Sequence, residues 1–351
     1  MSVETHSVET HGAWTPRERA RIGGIVAVVA ALHIAGWALY LYYANGLAGA
    51  GAFAGAGTLA YSLGIRHAFD ADHIAAIDDT TRLMMQRGRR PVGVGFFFAL
   101  GHSTVVLVLA MVVAAAAGAA ATGESVEEFR HVGGVVSQVV AMSFLLLVAV
   151  LNALVLAGVI GLWRRMARGT LDRDELEVLL LNRGLLNRML GRRARGLIRS
   201  SWHMYPVGVL FGLGLETASE VTLLALSAGT AAQGGLPALA VLTLPLLFAA
   251  GMTACDTADS LLMSRAYSWA HRSPARRLYY NAATTGMTVV VAAFIASVYL
   301  AGLLGGPFEA YGSLAEHFEV LGYAIVAAFA VVWAGAALVW RLSGLGRRYA
   351  E

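Results

Sequence analysis

Eight apolar runs of about 20 residues or more divide this sequence, and they constrain its fold more than any other feature. A helix of about 20 apolar residues crosses the hydrocarbon core of a bilayer. Only 14% of the residues are charged, whereas a soluble chain carries about 25%. The sequence therefore predicts an all-α integral membrane protein with eight transmembrane helices. The predicted spans are residues 22–43, 58–81, 92–117, 133–163, 204–228, 236–263, 282–304 and 318–340.

Arginines are concentrated in alternate loops, and this asymmetry predicts the orientation of the chain. Ten lie between residues 164 and 199, whereas the loops on the other side hold only Arg130. The positive-inside rule then places both termini in the cytoplasm of a cell (inner) membrane protein. The predicted architecture is a cytoplasmic tail (1–21), one transmembrane transporter domain (22–340) with an amphipathic cytoplasmic loop (164–203), and a second tail (341–351).

The net charge of +4 does not indicate a nucleic-acid partner, because most arginines flank apolar runs and there set topology. The ionisable residues inside the spans are more informative. They are Arg66, His67, Asp70, Asp72, His73, Asp78, Asp79, His102, Glu216, Glu220, Asp256 and Asp259. Eight carboxylates facing lipid would cost on the order of 20 kcal/mol, more than the roughly 5–15 kcal/mol by which a fold is stabilised. They must therefore face one another, water or a cation; a purely structural polar network is the alternative.

Imidazole and carboxylate together favour a first-row transition metal, since magnesium and calcium prefer oxygen ligands. At about 100° per residue, His67, Asp70 and His73 share one face of a helix. Asp72 points elsewhere unless the helix is locally unwound, as helices at transporter sites often are. Carboxylates alone would also fit proton or sodium coupling, and the histidines favour the metal. His33 stands alone in the first span and is interpreted as structural.

Two segments recur at a constant offset of 150 residues. Residues 63–70 align without gaps to 213–220, and residues 98–103 align to 248–253. An offset of three spans reverses direction across the membrane, as in transporters with inverted repeats. The sequence thus predicts an inverted repeat of helices 1–3 and 4–6, with helices 7–8 appended for packing or oligomer contacts.

Four motifs resemble the nickel/cobalt transporter (NiCoT) family. RHAFDADHI (66–74) resembles the family's signature on its second transmembrane helix, and LGHSTVV (100–106) resembles the motif of the third. LGLETASE (213–220) and GMTACDTAD (251–259) resemble the two later motifs, although Glu216 and Ser219 replace the usual Asp and Thr.

The resemblance implies secondary uptake of Ni²⁺ or Co²⁺ as transported substrate, with no cofactor and no enzymatic activity. The expected metal ligands are His67, Asp70, Asp72, His73 and His102. The expected pathway or supporting residues are Arg66, Ser103, Glu216, Thr217, Glu220, Asp256 and Asp259, with Arg66 paired to one of the site's carboxylates. The expected partners are these ions and membrane lipid, and homo-oligomerisation is left open. An exporter with the same ligands, a magnesium or manganese carrier and an intramembrane metalloenzyme are the alternatives.

Overall fold

Helices account for all regular secondary structure in the part of the chain that the computed structural model describes. This part comprises residues 14–46, 55–86, 89–118, 124–168, 199–213, 220, 222–224, 226–227, 238–269 and 274–342. Its longer helices are α1 (Pro16–Gly46), α2 (Ala56–His67), α3 (Ala71–Gln86), α4 (Val94–Gly118), α5 (Glu124–Ala167), α6 (Met204–Phe211), α7 (Ala238–Trp269), α8 (Pro274–Leu304) and α9 (Phe318–Leu342). Short helical turns at Ser201–His203 and over 306–317 precede α6 and α9. The all-α prediction is confirmed for these residues.

Six stretches among the described residues are long and apolar enough to cross a membrane. They are Pro16–Asn45, Val94–Val112, Gln138–Arg165, Leu239–Arg265, Ala282–Leu304 and Gly306–Leu342. Each overlaps one predicted span, and the fifth predicted span (204–228) lies partly outside the described residues. Most of the predicted loop at 164–203 lies outside them too.

The second predicted span (58–81) is divided. The chain forms α2 and α3 with a break at residues 68–70, which is the local unwinding that the sequence left open near Asp72. Neither helix reaches the about 20 residues that cross a bilayer core.

The helices place apolar side chains outside and polar ones inside. Ile34 on α1 and Val331 on α9 are each 70% exposed. The interior, by contrast, buries acidic and imidazole groups, which are collected around α7 where α2, α3 and α4 pack on it. α8 packs on α5, α3 and α9. This distribution suits an apolar solvent and a polar internal site, as in a multi-pass membrane protein.

Two helix pairs approach closely at glycines. A Cβ atom on Gly64 of α2 would overlap the backbone carbonyl of Phe248 in α7, and one on Gly251 of α7 would press on α2. α4 and α6 meet in the same way, since Gly101 and Gly208 each face backbone of the other helix. Small residues let membrane helices pack backbone to backbone. These contacts fix the helices that carry the candidate site.

We expect Gly64→Ala to lower the thermal stability of the detergent-solubilised protein, because the added methyl must push α2 from α7. Overpacking of this kind costs about 1–3 kcal/mol. Gly335→Ala in α9 is the matched control, since nothing lies within 4 Å of a Cβ there. Equal unfolding temperatures for the two variants would contradict the close contact between α2 and α7.

Candidate metal centre

The break between α2 and α3 is a tight turn whose backbone remains hydrogen-bonded. The N–H groups of Phe69 and Asp70 donate to the carbonyls of Arg66 and His67, at 3.1 and 2.9 Å. Both bonds span three residues instead of the four of an α-helix. The chain can therefore leave helical geometry inside the protein without unsatisfied amides, which would be costly in an apolar interior.

This turn brings two histidines of one sequence segment into contact. In a continuous helix His67 and His73 would be about 9 Å apart along the axis. Across the break, their ring centroids lie 4.6 Å apart. His102 of α4 completes a cluster in which one nitrogen from each of the three rings lies within 4.8 Å of the others. The Nε2 atoms of His67 and His102 are 3.0 Å apart.

Three carboxylates surround the three imidazoles, and all are buried. Oε1 of Glu220 lies 2.8 Å from Nε2 of His102 and 3.8 Å from Nε2 of His67. Oδ2 of Asp256 lies 3.5 Å from Nδ1 of His73, and Oδ2 of Asp70 lies 3.8 Å from Nδ1 of His67. Nitrogen and oxygen donors thus converge from four separated sequence motifs on one point.

Several nitrogen and oxygen atoms of the cluster have no hydrogen-bond partner among the described residues. They include Nδ1 of His73 and both carboxylate oxygens of Asp256. Buried polar groups are normally paired, and each exception needs a physical explanation. A cation held between the imidazoles and the carboxylates would be a partner for these atoms. The combination of nitrogen and oxygen ligands suits a divalent transition metal.

Two phenylalanines enclose the cluster. The ring of Phe98 in α4 contacts His73, with centroids 4.8 Å apart, and that of Phe248 in α7 lies 5.5 Å from His67. Both side chains are fully buried. They exclude water from the imidazoles and keep the local dielectric low, which strengthens every charge interaction at the site.

Comparison with known proteins identifies the family of this chain. Residues 53–339 match the family model of NicO, described as a high-affinity nickel-transport protein. The chain belongs to the NicO family. It is 58% identical to the cobalt transport protein NhlF of Rhodococcus rhodochrous, over 93% of this chain and 94% of that protein. It is 46% identical to the nickel transporter NicT of Mycobacterium tuberculosis, over 98% of this chain and 95% of that protein.

A more distant relative is the high-affinity nickel-transport protein NixA of Helicobacter pylori, which is 38% identical over 89% of this chain and 94% of its own. No solved structure matches this chain. The relatives are transporters and not enzymes, and together with the six apolar helices they show a multi-pass membrane protein of a nickel and cobalt transport family.

The structure of this NicO protein brings residues of all four motifs together. His67, Asp70, His73 and His102 lie in or beside the cluster, and Glu220 and Asp256 come closer to the imidazoles than Asp70 does. Asp72 instead accepts a hydrogen bond from Tyr299 of α8, at 2.7 Å.

The remaining expected residues are more peripheral or undescribed. Ser103 is buried next to His102, and Asp259 lies one turn beyond Asp256 on α7. Glu216 and Thr217 lie outside the described residues. The isolated His33 hydrogen-bonds to the carbonyl of Val29 and to the Tyr61 hydroxyl, away from the cluster.

Arg66 was expected to pair with a carboxylate of the four motifs. Its guanidinium pairs with Glu319 at the start of α9, at 2.5 Å. Among the described residues, which do not include Glu216, no ion pair joins Arg66 to a carboxylate of the motifs. The sequence did not indicate Glu319 and Tyr299, which belong to helices expected to serve packing or oligomer contacts. The position of Glu319, a carboxylate at the edge of the last apolar run, could have indicated a role. Nothing in the sequence distinguishes Tyr299 from the other aromatic residues.

A second buried polar group lies further along α3. Arg82, expected in a loop, is buried, lies 3.9 Å from Asp78 and donates to the Thr284 hydroxyl of α8 at 2.6 Å. Asn152 of α5 donates to Asp79 at 3.1 Å. These contacts join α3 to α5 and α8, so they account for two of the intramembrane carboxylates as parts of a structural network.

We expect Ni²⁺ or Co²⁺ to raise the unfolding temperature of the purified protein, because an ion that binds only the folded state stabilises it. At 100 times the dissociation constant the stabilisation is about 2.7 kcal/mol. His102→Ala should remove the shift, while His317→Ala, at an exposed position, should keep it. A shift that survives His102→Ala would place the binding site elsewhere.

Proposed function

We propose that the protein is a secondary transporter that takes Ni²⁺ or Co²⁺ across the cell membrane into the cytoplasm. The convergence of His67, His73 and His102 with buried carboxylates carries the proposal. The names of the relatives, which include cobalt and nickel transport proteins, support these two ions as the substrates. The protein is not expected to act as an enzyme.

The ligands in this proposal are His67, His73 and His102, with Asp70, Glu220 and Asp256 supplying oxygen atoms. Asp72 acts next to this set, because its carboxylate is engaged by Tyr299. Glu216, Thr217, Ser103 and Asp259 belong to the path that leads to and from the ion. Arg66 offsets negative charge beside the site, since an empty site with several ionised carboxylates would be costly.

The Nε2 atoms of His67 and His102 are 3.0 Å apart, close enough for both nitrogens to bind one ion. Sites of nitrogen and oxygen ligands generally bind Cu²⁺ more tightly than Ni²⁺ or Co²⁺, so tests of selectivity must include copper.

We further propose that the chain crosses the membrane eight times. α2 and α3 together would make the second crossing, and the segment from α6 to residue 227 would make the fifth. α2 rises about 18 Å over its 12 residues, roughly half of a bilayer core of about 30 Å. The break, and with it the metal centre, would then lie near the middle of the membrane.

Contacts between the two proposed halves support the inverted repeat of helices 1–3 and 4–6. α2 of the second crossing packs on α7 of the sixth, and α4 of the third packs on α6 of the fifth, which a twofold axis would require. Phe98 and Phe248, which are 150 residues apart, each pack against an imidazole of the cluster. The metal centre would sit between the halves, as in other inverted-repeat transporters.

The domain layout follows from the same proposal. One transporter domain over 22–340 would lie between cytoplasmic tails, with apolar outer faces against lipid. Export with the same ligands is the alternative direction, because metal ligands do not determine the direction of transport. Uptake is proposed because the resemblance to the nickel/cobalt transporter family implies it.

We expect His73→Ala and Asp70→Ala to abolish accumulation of nickel and cobalt by cells that express the protein, because each removes a donor at the cation. Mass spectrometry of cells supplied with low concentrations of Mn, Fe, Co, Ni, Cu and Zn measures this directly. His317→Ala is the matched control at an exposed position. Accumulation below that of cells without the protein would indicate export, and normal accumulation by both variants would refute the site.

We expect the two termini to lie in the cytoplasm. Green fluorescent protein fused after residue 351 should fluoresce, and alkaline phosphatase fused there should be inactive, because phosphatase folds only outside the cytoplasm. Phosphatase inserted between Gly305 and Gly306, in the turn after α8, should be active. The reverse pattern would overturn the orientation.

A further inference from the structure

α8 and α9, the two helices outside the proposed repeat, contact both halves of the broken helix, α2 and α3. On the α2 side, Glu319 of α9 is buried and pairs with Arg66 at 2.5 Å. On the α3 side, the hydroxyl of Tyr299 in α8 donates to Oδ2 of Asp72 at 2.7 Å. Each held residue is the sequence neighbour of a histidine of the cluster, His67 in one case and His73 in the other.

α9 also contacts the break itself. A Cβ on Gly322 would overlap the carbonyl of Phe69, so the backbones touch at this point. The rings of Phe69 and Tyr323 stack with centroids 5.1 Å apart. Tyr299 and the first residue of α9, Phe318, pack edge to face, which ties the two holding helices together. The Arg66–Glu319 pair and the Tyr299–Asp72 bond are therefore parts of one continuous contact between the broken helix and α8 and α9.

Site geometry has a specific consequence for an ion held by nitrogen and oxygen ligands. An adaptable site of this composition binds copper more tightly than nickel or cobalt, so selectivity must come from an imposed arrangement. His67 and His73 are on separate helices, so their relative position depends on how α2 and α3 are held. α8 and α9 contact both halves, through Asp72 and through Arg66 and Phe69.

We propose that Tyr299 and Glu319 are positioning residues that hold the broken helix in the geometry that selects nickel or cobalt. They act through Asp72 and Arg66 and need not touch the ion. The proposal rests on the transport function proposed above. Residues that orient the ligands of a metal typically contribute about 10- to 100-fold to affinity. α8 and α9, which the sequence analysis expected to serve packing or oligomer contacts, would thus set the specificity of the site.

The test measures uptake of nickel, cobalt, zinc and copper by cells that express Tyr299→Phe or Glu319→Gln, relative to the amount of protein in the membrane. Both variants should raise KM for nickel or cobalt about 10- to 100-fold, with a smaller effect on kcat. The ratio of nickel or cobalt to zinc and copper should fall. A merely structural defect would lower the amount of protein and leave KM and the ratio unchanged.

Matched controls are available on the same helices and turns. Tyr311→Phe removes a hydroxyl that lies 2.8 Å from Ser297 Oγ of α8, and Glu316→Gln removes an exposed carboxylate. Both should keep the wild-type KM and ratio. The double variant Arg66→Gln with Glu319→Gln should be no worse than the more impaired of the two single variants, because residues that act through one contact are not additive.

The outcomes separate this inference from the transport function. If the wild type transports nickel or cobalt and His73→Ala does not, but Tyr299→Phe and Glu319→Gln keep KM and ratio, this inference alone is overturned. Additive losses in the double variant would overturn the action of Glu319 through Arg66. If the wild type moves neither metal, the transport function fails and this inference fails with it.

Discussion

The break between α2 and α3 is the constraint on which the rest of this structure depends. A charged, irregular segment inside an apolar protein is tolerated only where its backbone groups are bonded and its side chains are partnered. The turn at residues 68–70 meets the first condition with its own amides. The second condition is met by side chains of other helices. Asp256 of α7 and Glu220 lie beside the histidines. Glu319 pairs with Arg66, and Tyr299 donates to Asp72.

Close glycine contacts are a requirement of the same arrangement. Side chains as short as those of Asp256 and Glu220 reach the imidazoles only if the helix backbones lie near one another. Gly64 against Phe248 and Gly101 against α6 provide that proximity. The fully buried rings of Phe98 and Phe248 pack against imidazoles of the cluster between these contacts.

The sequence predicted the helical class and the residues that gather at the centre, because charge inside an apolar run has few physical explanations. It also indicated that Asp72 could join the site only through local unwinding. The position of the break and the distance between His67 and His73 were not predictable, since they depend on three-residue backbone bonds that no periodicity reveals. The burial of Arg82 was not predictable for a related reason, since it depends on the Thr284 hydroxyl of α8, which is distant in the sequence.

The division of the cluster between two half-helices gives it a degree of freedom that one helix would lack. His67 lies at the end of α2 and His73 lies in the first turn of α3. A rotation of one half-helix against the other would change the distance between their nitrogens without any chemical change in the imidazoles, whereas a continuous helix would hold that distance nearly constant. The contacts of α8 and α9 with the two halves oppose such a rotation, so the same histidines would form a tighter or a looser cluster according to whether those contacts are made.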